Sequence, residues 1–149
     1  MTEQQVKDFV RESNHIEGIF REGTPEEITE FKRFIELPTV TVEELQKFVS
    51  VYQPNARLRD EYWLNVRVGN YIPPFGGPEI REKLKAILEK ESGAWEEHCL
   101  YENLHPFTDG NGRSGRALWA WKMMKEFNMP INLSFLHTFY YQTLQSHNK

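Results

Sequence analysis

The chain predicts an all-α fold carrying one small β-hairpin, on three observations. Helix-start signals recur: Thr2 with Gln5, Thr24-Pro25-Glu26-Glu27 and Thr41-Val42-Glu43-Glu44 each set a capping threonine three residues before a Gln or Glu. The apolar residues behind them follow the 3.6-residue period of a helix with one buried face. That period lapses only between Asn55 and Pro78, where Leu64, Val66 and Val68 alternate with Asn65 and Arg67. A length of 149 residues suits one domain, 1–149, with a core of its own and roughly six to eight helices.

The first helix is expected from Thr2 to Phe20, with Val6, Phe9, Val10, Ile16, Ile19 and Phe20 as a loose apolar stripe. Ser13-Asn14-His15-Ile16-Glu17-Gly18 lies inside it. A glycine within a helix costs about 1 kcal/mol relative to alanine, so by itself Gly18 would loosen the helix near its end and leave Glu17 in water. The second helix starts at Thr24 with Pro25 in its first position, buries Ile28, Phe31 and Phe34, and stops at Pro38. The third places Leu45, Phe48, Val49 and Tyr52 on one face before Pro54.

In the hairpin, Gly69-Asn70 supplies the turn between the arm ending at Val68 and Tyr71-Ile72, with Pro73-Pro74 beyond. An isolated hairpin is marginal in water and leaves an open edge; a connecting loop pinned by Trp63 and Phe75 is the alternative. Pro78-Glu79-Ile80 then opens a helix with Leu84, Ile87 and Leu88 on one side, broken at Ser92-Gly93. Ala94 to Leu104 forms the next. His98 stands about two turns before His105; the i, i+4 pair of a helical zinc site is absent, so it is expected to be a hydrogen-bonded packing residue. Trp95, Cys99 and Tyr101 are assigned to core or domain surface. A helix over Ala117, Leu118, Trp119, Ala120, Trp121, Met123 and Met124 runs to Phe127 and stops at Pro130. Asn132 can cap a last one with Phe135, Leu136, Phe139, Tyr140 and Leu144, while His137 and His147 carry no pattern.

Composition removes several function classes. The net charge of −4 and pI near 5.8 offer no footprint for nucleic acid or an anionic membrane. Cys99 is the only cysteine, so neither an intrachain disulfide nor a cysteine metal site is available. No apolar run reaches membrane-spanning length, and Met1-Thr2-Glu3-Gln4-Gln5 is unlike a signal peptide; the cytoplasm is expected.

Chemistry concentrates in His105-Pro106-Phe107-Thr108-Asp109-Gly110-Asn111-Gly112-Arg113-Ser114-Gly115-Arg116. A Gly-rich turn opening a helix presents unpaired N–H groups to an anion, and the helix dipole favours one there. Gly110 and Gly112 allow the conformations of an anion-binding nest, and Asn111 tolerates them. Arg113 and Arg116 share a helical face and can both reach a polyphosphate. Asp109 offers the hard oxygen that Mg²⁺ takes beside phosphates. His105 titrates near neutrality and suits a general base. These are the parts of a phosphoryl- or nucleotidyl-transfer site. Gly110 to Ser114-Gly115 also satisfies G-x-G-x-x-G, but a dinucleotide fold needs a strand before it and a helix-like stretch stands there.

His105 to Arg116 matches every fixed position of H-x-F-x-[DE]-G-N-G-R-x-x-R, and here the chain resembles the Fic family from about Thr41 to the C-terminus. The resemblance implies a Fic-type helical domain that moves AMP from ATP, with Mg²⁺, to a Ser, Thr or Tyr hydroxyl of a target protein. It makes His105 the base, Asp109 the metal ligand, and Gly110, Asn111, Gly112, Arg113 and Arg116 the nucleotide holders, Arg116 on the γ-phosphate. Phe107 is there for packing. It also lifts Ser13, Glu17 and Gly18 out of the bland reading: [ST]-x-x-x-E-[GN] is the family's inhibitory-helix motif, here in an N-terminal helix over 1–22, with Glu17 paired to Arg116. Residues 62–75 become a flap whose Val66, Arg67, Val68 and Tyr71 dock the target's backbone. Relatives move UMP, GMP, phosphocholine or a phosphoryl group, or remove AMP. A nucleotide sensor without turnover, or a toxin–antitoxin partner, is the rival from another class. Oligomeric state is left open, a homo-oligomer included.

Overall fold

The computed structural model describes residues 1–128. Six helices lie among them: α1 (Glu3–Ile16), α2 (Pro25–Ile35), α3 (Val42–Tyr52), α4 (Glu79–Glu89), α5 (Ala94–Leu104) and α6 (Asn111–Phe127). The helix anticipated after Pro130, with His137 and His147, lies outside the described residues.

The capping threonines act as their spacing demands. Thr2 and Thr24 each accept from the backbone N–H three residues on, and Gln5 and Glu27 reach back to the threonine N–H. Thr41 accepts from Glu44 N–H, but the Glu44 carboxylate does not return to it; that group pairs with Arg33 at 2.6 Å and ties α3 to α2.

The first helix stops at Ile16, four residues short of Phe20, and Gly18 is the reason. At φ 80° it adopts the left-handed conformation, donating to His15 O while Ile19 N–H donates to Asn14 O. This paired closure satisfies the last carbonyls of α1 and makes Glu17 its terminal cap. Phe20 is consequently exposed.

Helix α6 is buried on every side from Arg113 to Trp121. Helices α1, α2, α3 and α5 pack against it, and α4 packs on α3 and α5. Val6, Phe9 and Val10 of α1, Phe31 and Phe34 of α2, Leu45, Phe48 and Val49 of α3, and Ala117, Leu118 and Ala120 of α6 form one continuous core. The site motif thus opens the most enclosed helix, and its side chains are aimed by packing on several neighbours.

The hairpin is corrected. Among the described residues there is no strand ladder, only isolated antiparallel bridges at Leu58–Phe107 and Val68–Tyr71. Around Gly69-Asn70, Val68 and Tyr71 exchange N–H···O bonds of 2.9 Å and pairing goes no further. Among the described residues no further segment pairs with it, and Pro73 and Pro74 carry no N–H for a longer second arm. Trp63 and Phe75 do not pin the segment either; they are 73% and 76% exposed.

Candidate active site

Helix α5 ends by turning sharply. His105 sits at φ 51°, a left-handed conformation uncommon outside glycine, with its N–H on Tyr101 O. The next residues pair with an extended segment ahead of them: Arg59 N–H donates to Pro106 O and Thr108 N–H to Arg57 O, both at 2.9 Å. Phe107 between them is fully buried, the packing anchor its neighbours suggested.

The Asn111 side chain, expected in the phosphate cradle, is engaged with the loop before it. Its Nδ2 donates to Phe107 O at 2.7 Å and its Oδ1 accepts from Phe107 N–H at 2.8 Å, so the whole amide braces the loop it follows. Gly110 N–H is likewise used, on Asp109 Oδ1 at 2.7 Å. The N–H groups that open α6 at Asn111, Gly112 and Arg113 precede the first intrahelical bond, Ser114 N–H to Gly110 O, and remain for an anion.

A carboxylate of the chain's own is seated there. Glu17 Oε2 accepts from Arg116 Nη2 at 2.6 Å and lies directly over Gly112, where any Cβ would run into it. Arg116 is 1% exposed and also donates from Nε to Ser13 Oγ and from Nη2 to Ser13 O, both at 2.9 Å. Ser13 and Glu17, far from Arg116 in sequence, therefore converge on one guanidinium because the closure at Gly18 ends α1 beside the start of α6. The Glu17 side chain keeps 34% of its surface in solvent.

Arg113 is differently placed. It is buried, its Nη1 lies 3.4 Å from Asn14 Oδ1, its guanidinium covers the Tyr52 ring at 5.7 Å, and its Nε has no hydrogen-bond partner. Burial lowers its pKa, with Glu17 and Asp109 opposing. A buried guanidinium with an unused donor at a helix N-terminus is a group that an anionic ligand would satisfy.

His105 has its pKa lowered by burial first; a ring hydrogen bond to the Glu102 carbonyl, Glu17 and Asp109 act in the opposite sense, and Arg59 adds to the lowering. At neutral pH the imidazole is uncharged and able to take a proton. Asp109 is exposed at the mouth of the loop, with only Oδ1 engaged. One free carboxylate oxygen beside a helix N-terminus able to hold an anion fits Mg²⁺, which commonly keeps waters and phosphate oxygens as its other ligands. Among the described residues no cluster of three or more His, Cys, Asp or Glu forms a cage for a metal.

Behind the site, His98 is the packing residue its spacing suggested. It is stacked near Trp119, its Nδ1 is 2.8 Å from Gly115 O, and burial pushes its pKa down to about 3. Val66, Arg67, Val68 and Tyr71 lie on the open segment before α4; Tyr71 Oη donates to Asn103 O at 2.8 Å, which leans the segment toward the end of α5. Sequence reasoning missed Arg59, which belongs to no motif and donates to His105 O at 2.6 Å. It also missed Asn14, which links Glu27 to Arg113. The one signal available for Asn14 was its place on the buried stripe with Val6 and Val10, where a polar side chain needs a partner.

Among the described residues no helix is long and apolar enough to cross a membrane. The model of the Fic/DOC family matches residues 3–122. A search of curated proteins finds no match.

Proposed function

The chain belongs to the Fic/DOC family, whose members generally modify proteins by nucleotidylation or related transfers, and on that premise we propose that it is a protein adenylyltransferase held inactive by its own Glu17. The observation that carries this is the Glu17 carboxylate on Arg116 over the first turn of α6, an anion where the outer phosphates of ATP would sit.

The reaction is ATP + protein-OH to protein-O-AMP + pyrophosphate. His105 takes the proton of a Ser, Thr or Tyr hydroxyl as its oxygen bonds to the α-phosphorus and the bond from that phosphorus to the bridging oxygen breaks. The N–H groups of Gly112 and Arg113 receive charge building on the phosphates, and the guanidiniums of Arg113 and Arg116 hold the outer ones. Mg²⁺ held by Asp109 would neutralise charge on the phosphate oxygens. With Glu17 in place, Arg116 is occupied and the nucleotide's own charge is repelled. The 1–149 chain acts as one unit, with ATP and a target protein as its partners.

Labelled ATP and Mg²⁺ test this with Glu17→Gly and with Glu17→Gly combined with His105→Ala. Covalent label on protein is expected from the first, and roughly 10²–10⁴-fold less from the second at similar nucleotide affinity. Reversible binding without covalent label from Glu17→Gly would instead describe a nucleotide sensor.

A further inference from the structure

Arg59 has no exposed surface, and among the described residues no carboxylate pairs with it. All its hydrogen bonds go to backbone carbonyls: Nε to His105 O at 2.6 Å, Nη2 to Leu104 O at 2.9 Å, and Nη1 to Leu64 O at 3.1 Å and Pro74 O at 3.0 Å. Burying a charge on dipoles alone is costly, and burial lowers its pKa accordingly. The four acceptors explain why a cation is kept. Leu104 O and His105 O are at the C-terminus of α5, where carbonyls lack helical partners and the dipole is negative. Leu64 O and Pro74 O are the two ends of the segment carrying the Val68–Tyr71 bridge. The same residue's backbone continues the connection: its N–H donates to Pro106 O and its carbonyl accepts from Gly77 N–H at 3.0 Å.

We propose that Arg59 is a positioning residue for the transfer reaction, fixing on one guanidinium both the left-handed turn that carries His105 and the base of the 64–74 segment beside it. Arg59 touches neither nucleotide nor target. It sets the spacing between the proton acceptor and the segment that would present the hydroxyl, and a planar fork with its donors in fixed directions does this where a lysine ammonium reaches fewer carbonyls. The assignment of a reaction to that spacing rests on the adenylyltransferase reading.

Two measurements on the full chain test it. In amide hydrogen exchange, Arg59→Gln is expected to speed exchange at Val68, Tyr71 and Gly77 and also at His105 and Thr108, while amides of α2 and α3 keep their protection. Faster exchange in the segment with His105 and Thr108 unchanged, or no change in either, overturns the coupling. If Arg59→Gln does not fold, Arg59→Lys is measured for the same pattern at smaller amplitude. In the Glu17→Gly background, Arg59→Gln is expected to lower kcat about 100-fold, the order that a misplacement of about 1 Å costs, with KM for ATP within about twofold, and Arg59→Lys to recover part of the loss. A rise in KM for ATP as large as the fall in kcat would show general damage to the site and overturn positioning. Should Glu17→Gly itself transfer nothing, the adenylyltransferase reading falls, and the exchange pattern still decides whether Arg59 couples turn and segment.

Discussion

Two stretches outside the motif are expected from sequence to serve it, and they are built in opposite ways. The end of α1, Ser13 to Gly18, is closed: Ser13 and Asn14 are buried, and one guanidinium donates three hydrogen bonds to Ser13 and Glu17. The 62–75 segment is open: Tyr62, Trp63, Ile72 and Phe75 are exposed, and Val68 and Tyr71 share one pair of bonds. A helix end can be completed by side chains from a neighbouring helix, whereas two β arms need a third strand or a covering face to be stable. Among the described residues the first stretch is therefore completed by its neighbours and the second is not.

The largest test of that contrast is Glu17→Gly, which should raise labelled-AMP incorporation about 100-fold, including self-labelling, by letting the α-phosphorus come into line. Glu17→Gly with Arg116→Ala should not recover activity, since the phosphate clamp is then gone. A time course over wild type, single and double mutants decides; equal rates for wild type and Glu17→Gly would make the end of α1 a bystander. Next comes Val68→Pro. Val68 N–H already serves Tyr71 O, so proline breaks the turn itself, and target modification should fall roughly tenfold, a hydrogen bond's worth of organisation, while ATP affinity and thermal midpoint barely move. Loss of ATP affinity too would make the segment part of the nucleotide site.

Smaller effects sharpen the contrast. Gly18 and Gly69 both have positive φ, 80° and 60°, with open space where a Cβ would go, so alanine at either adds backbone strain of about 1 kcal/mol. Gly18→Ala should raise basal labelling about fivefold by loosening the seat of Glu17; Gly69→Ala should leave it unchanged. Basal labelling raised equally by both would erase the distinction. Smallest is a titration. Burial lowers the His105 pKa and the Glu17 carboxylate opposes that, so Glu17→Gly should lower it further, and the imidazole should stay a free base to a lower pH. NMR titration of the His105 ring in wild type, Glu17→Gly and Val68→Pro checks this, with a shift expected only for the second.

Sequence made the helices legible wherever local chemistry decided them: Thr2, Thr24 and Thr41 cap as their spacing indicates, and Val6, Phe31 and Leu45 are buried by period alone. The residue types of the site were legible because a base, a carboxylate and two arginines flank glycines in one run. Apart from Glu17 with Arg116, which the family resemblance implied, the partner each would take was not. Asn111 spends its amide on Phe107, and Glu44 turns from its own cap to Arg33, since both choices depend on what packing brings near. Arg59 carries no motif because its partners are carbonyls, which every residue has. The early stop of α1 is hidden as long as Gly18 counts only as a cost inside a helix, because its role is to supply the left-handed residue that ends one.

Arg116 owes its posture to Ser13 as much as to Glu17, and the helix that carries both also lends Val6, Phe9 and Val10 to the core. On the proposed reading, the restraint is thus a wall of the molecule rather than a plug set into it. Removing the first eighteen residues would strip the arginine of its support and the core of three side chains, and is expected to unsettle the fold rather than free the site. Release, on that reading, takes place at the last turn of α1 alone, where one carboxylate is displaced while the helix behind it stays docked.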